Sequence, residues 1–141
     1  MRALALIVCL AACGGHRHGP NRADDPSRLY VEVFADNNAL DYGTQLALQR
    51  IRYVVPTNHN GDVELKVEKV RVDNSFGQTV CSVKILALRL PQHDLLGIAD
   101  ASGRTRERGR SGADNCLTTT AQALVRGKVR VLLDRMLRAK R

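Results

Sequence analysis

The stretch DVELKVEKVRVDNSFGQTVCSVKILALRL, residues 62–90, predicts a long β-hairpin. Apolar and charged residues alternate over residues 63–73, which is the period of a strand with one buried face. The alternation slips at Glu68 and Lys69, and this indicates a β-bulge. Residues 74–77 form a turn of common hairpin length. The centre of residues 78–90 is apolar on both faces, so the second strand is predicted to be central in a sheet.

Before the hairpin, the sequence predicts one strand and one helix. Leu29, Val31 and Val33 alternate with other side chains in the strand over residues 28–36. Asn37 or Asn38 then caps a helix over residues 39–52. Pro56 terminates this segment. The helix end stays open, because residues 53–55 also suit a short strand.

After the hairpin, residues 95–101 suggest a shorter strand, and residues 116–138 have the apolar stripe of a long helix. Residues 104–115 between them lack an apolar period and are expected to be a mobile basic loop, although Thr105 and Arg106 could continue the strand. The order is β-α-β-β-β-α. It predicts an α+β fold with two helices on one face of a mixed or antiparallel sheet.

The first fifteen residues, MRALALIVCLAACGG, have the form of a secretory signal, with Arg2 before an apolar run too short to span a bilayer. Leu10-Ala11-Ala12-Cys13 resembles the lipobox of bacterial lipoproteins. The resemblance implies a signal peptide over residues 1–12, removed by cleavage, and acylation of Cys13. Residues 13–27 are then expected to be a flexible tether and residues 28–141 a single domain. The alternative is that residues 4–10 form an ordinary buried helix.

Residue 14 is Gly rather than Asp. By resemblance to the lipoprotein sorting rule of enteric bacteria, this favours the outer membrane, with the domain facing the periplasm. The inner membrane and the cell surface stay open as alternatives. In all three settings the lipid on Cys13 makes the membrane a partner.

Four cysteines are present, and the lipoprotein interpretation assigns each of them. Cys9 leaves with the signal and Cys13 carries the lipid, which leaves Cys81 and Cys116 in a compartment that permits disulfides. We expect these two to be bonded. Two buried free thiols are one alternative; a metal site is disfavoured, because no other His or Cys lies at ligand spacing from either cysteine. No metal site is therefore predicted.

The positive charge is concentrated at the C-terminus. Residues 104–141 contain eleven basic and three acidic residues, whereas residues 13–103 contain ten basic and eleven acidic ones. In an extended segment, alternate arginines would share one side and suit phosphate or carboxylate recognition. The candidate anion-binding residues are Arg104, Arg106, Arg108, Arg110, Arg126 and Arg130. The alternative is a solvated loop; nucleic acid is not an expected partner, because the compartment is wrong.

No catalytic constellation is recognisable. His59 and His93 lie in predicted loops without a nucleophile elbow, and Asp94 and Asp100 merely flank a strand. Neither a phosphate-binding glycine loop nor a dinucleotide fingerprint is present, so no cofactor is expected. The sequence therefore favours a protein that is not an enzyme.

The pattern of residues 29–137 resembles the small periplasmic lipoprotein domains related to the TolB amino-terminal domain, which include the activator lipoproteins of penicillin-binding proteins. The matching segments are VEVFAD, a helix, DVELKVEKVRV, TVCSVKILALRL, LLGIADASGRTR and a closing helix. The lipopolysaccharide-assembly lipoproteins have a comparable layout. The resemblance implies architecture and setting but no binding residues, and no strand follows the last helix. Two functions follow as hypotheses: a module that binds or modulates an envelope protein, or a binder of lipopolysaccharide, phospholipid headgroups or cell-wall polymer.

Overall fold

A computed structural model describes residues 25–141. The predicted signal peptide, the lipobox with Cys13 and most of the predicted tether lie outside the described residues. The described chain forms five strands and an N-terminal and a C-terminal helical segment, which confirms the α+β class. The strands are β1 (Leu29–Ala35), β2 (Val54–Thr57), β3 (Val63–Ser75), β4 (Gln78–Arg89) and β5 (Asp94–Thr105). The helices are α1 (Asn38–Leu48), α2 (Gly109–Leu124) and α3 (Arg130–Lys140), and a π-helical turn, Val125–Val129, joins α2 to α3.

The sheet is mixed, with strand order β2-β1-β3-β4-β5. β1 runs parallel to both β2 and β3, and β4 runs antiparallel to both β3 and β5. The short strand β2 was the alternative left open by residues 53–55, and it adds a strand to the predicted order. Pro56 is tolerated there because β2 is an edge strand, where one side of the backbone needs no partner.

The β3–β4 hairpin has the predicted position, with a tighter turn. Ser75 pairs with Gln78, so the turn consists of Phe76 and Gly77 alone. Both residues have positive φ, 51° and 77°, as a type I′ turn requires. The register shifts between Lys69 and Arg71, so the bulge lies immediately after the predicted position.

β1 and the hairpin turn lie at opposite ends of the sheet. Val31 of β1 pairs with Val63 at the start of β3, and the last paired residue of β1, Ala35, lies opposite Val67. β3 then continues to Ser75. The thirteen residues of β3, at about 3.3 Å each, place its start, beside Val31 of β1, about 40 Å from the hairpin turn.

The helices pack on one face of the sheet, as predicted. Asn37 caps α1, because its side-chain oxygen accepts a hydrogen bond from the Leu40 amide at 3.0 Å. A disulfide between Cys81 of β4 and Cys116 of α2 links the sheet to the helix layer, with 6.1 Å between the Cα atoms. The core is aliphatic and draws on every layer: Leu29, Val31, Leu40, Leu48, Leu65, Val83, Ile85, Val125, Val129 and Leu133.

The expectation of a mobile loop over residues 104–115 is wrong. β5 extends to Thr105, and α2 begins at Gly109. Only residues 106–108 connect them, and the Thr79 hydroxyl fixes this link by donating to the Glu107 carbonyl at 2.8 Å. The helix therefore starts before the predicted residue 116, and Asp114 and Asn115 lie inside it.

The end of α3 contacts residues at and next to the start of β1. The Lys140 ammonium lies 2.9 Å from an Asp62 carboxylate oxygen and donates to the Arg28 carbonyl at 3.1 Å. It also lies 5.4 Å from the centre of the Tyr30 ring, within cation–π range. Over residues 25–141, no helix has the length and apolar character needed to cross a membrane.

Candidate functional site

The sheet face opposite the helices, here called the helix-free face, exposes apolar side chains from several strands. Phe34, Lys66, Leu86 and Ile98 form one row across β1, β3, β4 and β5, because each is paired with the next. Phe34 is 54% exposed and Ile98 is 55% exposed. Leu95, paired with Leu88 in the neighbouring row, is 56% exposed. This face can therefore bury apolar surface only against another molecule or another part of the chain.

Two carboxylates border this apolar group on the same face. Glu32 and Glu64 are paired across β1 and β3, and both are nearly buried. Glu32 accepts a hydrogen bond from the Gly61 amide at 2.7 Å. Glu64 lies 3.5 Å from the Lys66 ammonium and 3.5 Å from Nδ1 of His93. A cleft of about 270 Å³ opens between these groups and Pro91. Glu64 already has these two basic partners, whereas Glu32 has no basic side chain within 4.0 Å in the described chain, so a cationic group could bind at Glu32.

The first four candidate arginines gather around the β3–β4 turn. Arg104 lies opposite Val80, one residue before the end of β5, and Arg106 and Arg108 lie in the link to α2. Arg110 lies in the first turn of α2. The Arg108 guanidinium covers the turn, since its Nη2 would lie 2.7 Å from a Cβ on Gly77. We call these four arginines together with Phe76 the hairpin end.

The structure does not bring the other two candidates to this place. Arg126 lies in the π-helical turn and Arg130 begins α3. Sixteen residues of helix separate Arg110 from Arg126, which corresponds to about 24 Å. Both Arg126 and Arg130 are exposed on the outer side of the helix. The six arginines therefore form one cluster of four and a separate pair.

Around the hairpin end, positive charge is in excess. Within residues 25–141, none of the six candidate arginines has a carboxylate within 4.0 Å. Glu107 lies within the cluster and accepts a hydrogen bond from the Ser111 hydroxyl at 3.3 Å. Arg71 and Asp73, close to the turn, neutralise each other at 2.6 Å. Residues 104–110 thus retain a net charge of +3.

Two clefts accompany the arginines. One, of about 390 Å³, is lined by Asn74, Phe76, Gly77, Gln78 and Arg108. The other, of about 460 Å³, is lined by Val80, Ser102, Gly103 and Arg104. Both are open and partly polar, so they suit surface contact with an anionic group better than enclosure of a small molecule.

Of the residues considered for catalysis, His93 contacts Glu64, and the other three are exposed on the surface of the described chain. His59 is exposed in the turn before β3, and Asp94 and Asp100 are exposed on β5. Across residues 25–141, no three His, Cys, Asp or Glu side chains are grouped so that they could hold a metal ion.

Among residues 25–141, two titratable groups have displaced pKa values, and both lie away from these surfaces. Burial, followed by the hydrogen bond to Asp134, raises the pKa of Tyr53. Hydrogen bonds from the Ser27 hydroxyl and amide hold the pKa of Asp25 below its ordinary value. The first shift belongs to a contact between β2 and α3, and the second to the start of the described chain.

Sequence reasoning missed Phe76 and the apolar group on the helix-free face. A signal for Phe76 existed, because a type I′ turn favours Asn or Gly at its central positions and Phe there is unusual. The apolar group could not be recognised, because β4 is apolar on both faces at its centre. Only the packing of the helices decides which of those faces is covered.

Neither a protein-family model nor a curated protein matches the sequence of this chain. Among solved structures, the chain is similar to protein XCC0632 of Xanthomonas campestris. The TM-score is 0.55 at 7% identity, over 82% of this chain and 89% of that one. It also has some similarity to the PelC dodecamer of Paraburkholderia phytofirmans (TM-score 0.49, 14% identity, 71% of this chain and 88% of that one). A third match is lipoprotein GNA1162 of Neisseria meningitidis (TM-score 0.41, 13% identity, 75% and 99%). At these identities, the similarity to XCC0632 concerns the fold alone, and the two lower scores carry no further conclusion.

Proposed function

We propose that this chain is a lipid-anchored, non-catalytic interaction module of the bacterial cell envelope, which binds an envelope protein through its helix-free face. The setting is supported by the lipobox-like Leu10-Ala11-Ala12-Cys13, with Cys13 as the lipidated residue. Gly14 supports the outer membrane with the domain facing the periplasm, and the layout of residues 29–137 supports kinship with the TolB amino-terminal type. The inner membrane and the cell surface remain outcomes of a fractionation experiment.

The observation that carries the proposal is the group of apolar side chains on the helix-free face. Leu86, Ile98 and Leu95 are neighbours on β4 and β5, and Phe34 lies on β1 beyond Lys66. Single exposed apolar residues are ordinary on protein surfaces, whereas this group spans three strands. Covering such a surface stabilises a complex by about 25 cal/mol for each Å² of apolar area removed from water. Within the part of the chain that the structure describes, the helices cover only the other face of the sheet.

The charges on this face indicate the chemistry of the partner. Glu32 lies two residues along β1 from Phe34, which places its carboxylate beside the apolar group. In the described chain it has no basic side chain within 4.0 Å, whereas Glu64 already contacts Lys66 and His93. A complementary protein would offer an apolar patch bordered by a lysine or arginine. Such charge matching gives specificity and orientation more than raw affinity.

Position-specific photo-crosslinking in intact envelopes tests the proposal. A photoreactive phenylalanine derivative placed at Phe34 or Ile98 should give one discrete protein adduct, identifiable by mass spectrometry. Tyr42, an aromatic residue on α1 that is 61% exposed, provides the matched control position. An adduct of equal yield from Tyr42, or none from Phe34 and Ile98, would overturn the use of this face.

A different observation favours a second function. Residues 104–110 have a net charge of +3. In the described chain, none of their four arginines forms an ion pair. In this proposal the basic residues bind an anionic envelope ligand, such as lipopolysaccharide, phospholipid headgroups or cell-wall polymer. Arg126 and Arg130 would contribute only to a ligand long enough to follow the helix. Replacing Arg104, Arg106, Arg108 and Arg110 by Ser should abolish retention on anionic lipid or cell wall in moderate salt, and unchanged retention would refute this function.

A further inference from the structure

We infer that the hairpin end is a bilayer-docking element, in which Phe76 enters the interface of an anionic phospholipid membrane while the surrounding arginines bind headgroup phosphates. The inference rests on the second function proposed above. It names the ligand as a lipid surface and adds a residue that the arginine cluster alone does not indicate.

The first step of the argument is that Phe76 lies outside the core of the described domain. Its side chain is fully exposed, so it contributes no apolar burial to the domain. Its backbone has a φ of 51°, a conformation that side chains other than Asn, Asp and Gly rarely adopt. A bulky aromatic residue at this position is therefore unfavourable for the isolated chain, and its presence indicates a contact outside the chain.

The second step is the neighbourhood of Phe76. Arg108 lies over the adjacent Gly77, and Arg104, Arg106 and Arg110 are all exposed nearby. The carboxylates close by do not neutralise the charge of the four arginines. Asp73 is paired with Arg71, Glu107 is outnumbered by arginines, and Asp114 lies one turn further along α2.

The third step is the shape of the surface. Phe76 is fully exposed at the two-residue turn that closes the hairpin, so its ring can enter a deformable surface. The cleft beside it, of about 390 Å³, is open and can take a headgroup phosphate next to Arg108. An apolar ring together with cations is also the composition of segments that lie in the membrane interface. A lipid surface thus accounts for both Phe76 and the arginines.

The expected contributions can be measured as changes in membrane partitioning. Each basic residue near an anionic surface strengthens binding about fivefold. Phe76→Asn should weaken binding about tenfold, because the ring no longer leaves water. This variant should fold normally, since Asn-Gly is a favoured type I′ pair.

Tryptophan fluorescence tests the inference in the full chain, carrying Cys13→Ser so that no lipid anchor contributes. The sequence contains no Trp, so Phe76→Trp introduces a single reporter at the hairpin end. With vesicles of phosphatidylethanolamine and phosphatidylglycerol (about 7:3), its emission should shift to the blue and be quenched by brominated lipid, because the indole enters the membrane interface. With phosphatidylcholine vesicles it should not. Phe34→Trp, on the helix-free face, is the matched reporter that should stay unchanged.

The Phe76→Trp reporter with Arg104, Arg106, Arg108 and Arg110 changed to Ser should lose the shift, while circular dichroism verifies its fold. The bilayer inference fails if anionic vesicles leave the Phe76→Trp reporter unchanged, if the Phe34→Trp reporter responds equally, or if the response survives loss of the four arginines. An arginine-dependent response to inorganic polyphosphate without any response to vesicles would also refute it. That result would leave the proposal of an anionic ligand standing.

Discussion

At the scale of single residues, Tyr53 makes a contact that joins distant parts of the chain. Its hydroxyl donates a hydrogen bond to the Asp134 carboxylate of α3. Burial and this carboxylate both favour the neutral phenol, so the pKa of Tyr53 is raised in the folded protein. In the unfolded chain a tyrosine ionises near pH 10.

We therefore predict an alkaline loss of stability that depends on Tyr53. The stabilising contribution of the phenol is complete below about pH 10 and declines at higher pH, because the unfolded chain loses its proton first. Tyr53→Phe should lower the free energy of unfolding at pH 7 by about 1 kcal/mol. Denaturant titrations from neutral pH to about pH 11 should show this difference shrinking above about pH 10.

The exposed Tyr42 provides the control for this prediction. Tyr42→Phe should leave both the stability and its pH dependence unchanged. A wild-type protein whose advantage over Tyr53→Phe stayed constant throughout the alkaline range would contradict the link between Tyr53 and Asp134.

At the scale of secondary-structure elements, the approach of α1 to α2 depends on Gly43. By helix propensity alone, a glycine inside a helix is only a weakening residue. In the structure, a Cβ on Gly43 would lie 2.5 Å from the Thr118 carbonyl oxygen. The Thr118 hydroxyl also donates to the Ala39 carbonyl at 3.1 Å, so the two helices are in direct contact here.

Gly43→Ala should therefore destabilise the protein even though alanine is the better helix former. The gain of about 1 kcal/mol in helix propensity is opposed by an overpacking cost of about 1–3 kcal/mol. We expect thermal or denaturant unfolding to show a net loss of about 1 kcal/mol. Gly127, in the π-helical turn, has no atom within 4 Å of an added Cβ and is the matched control. Gly127→Ala should be neutral or stabilising, and equal losses for the two variants would contradict the steric explanation.

The strands β1 and β3 could be predicted from the sequence because apolar residues alternate along them, with one face covered. β4 could be predicted because it lies centrally in the sheet and is apolar on both faces at its centre. The start of α2 could not. Its sheet-facing positions Gly112, Cys116 and Thr120 are small or polar, so they give no apolar period. Small residues are needed there because β5 comes very close, and a Cβ on Gly103 would collide with the Thr120 hydroxyl oxygen. The close approach of β5 and α2 explains why residues 104–110, which include four arginines, are divided between a strand and a helix.

At the scale of the whole molecule, the Cys81–Cys116 disulfide links the centre of the sheet to the C-terminal helix. Both cysteines are buried, and the bond closes a loop of 35 residues. In the chain-entropy model such a loop contributes about 4 kcal/mol to the free energy of unfolding. Denaturant unfolding with and without reductant should reveal a loss of this size.

The double variant Cys81→Ala with Cys116→Ala controls for other effects of the reductant. It should have the lower stability under both conditions and no response to reductant. Mass spectrometry that found both thiols free in the exported protein would refute the bond.

The candidate site could be predicted from the sequence only in part. The arginines were recognisable from their spacing, but their division into a cluster and a pair follows from the length of the C-terminal helix. The exposure of Ile98 and Leu95 depends on which face the helices cover, and this is decided by contacts between residues far apart in sequence.

Because β1 starts at the end of the sheet opposite the hairpin turn, the structure limits how far Phe76 can lie from the membrane that holds the anchor. With the proposed anchor at Cys13, the sixteen links to Leu29 extend to no more than about 55 Å. β3 adds about 40 Å before Phe76. An anchored molecule standing upright could thus touch a second surface up to about 95 Å from its own bilayer. To touch its own bilayer with Phe76, the domain would have to lie along the membrane or turn over on an extended tether.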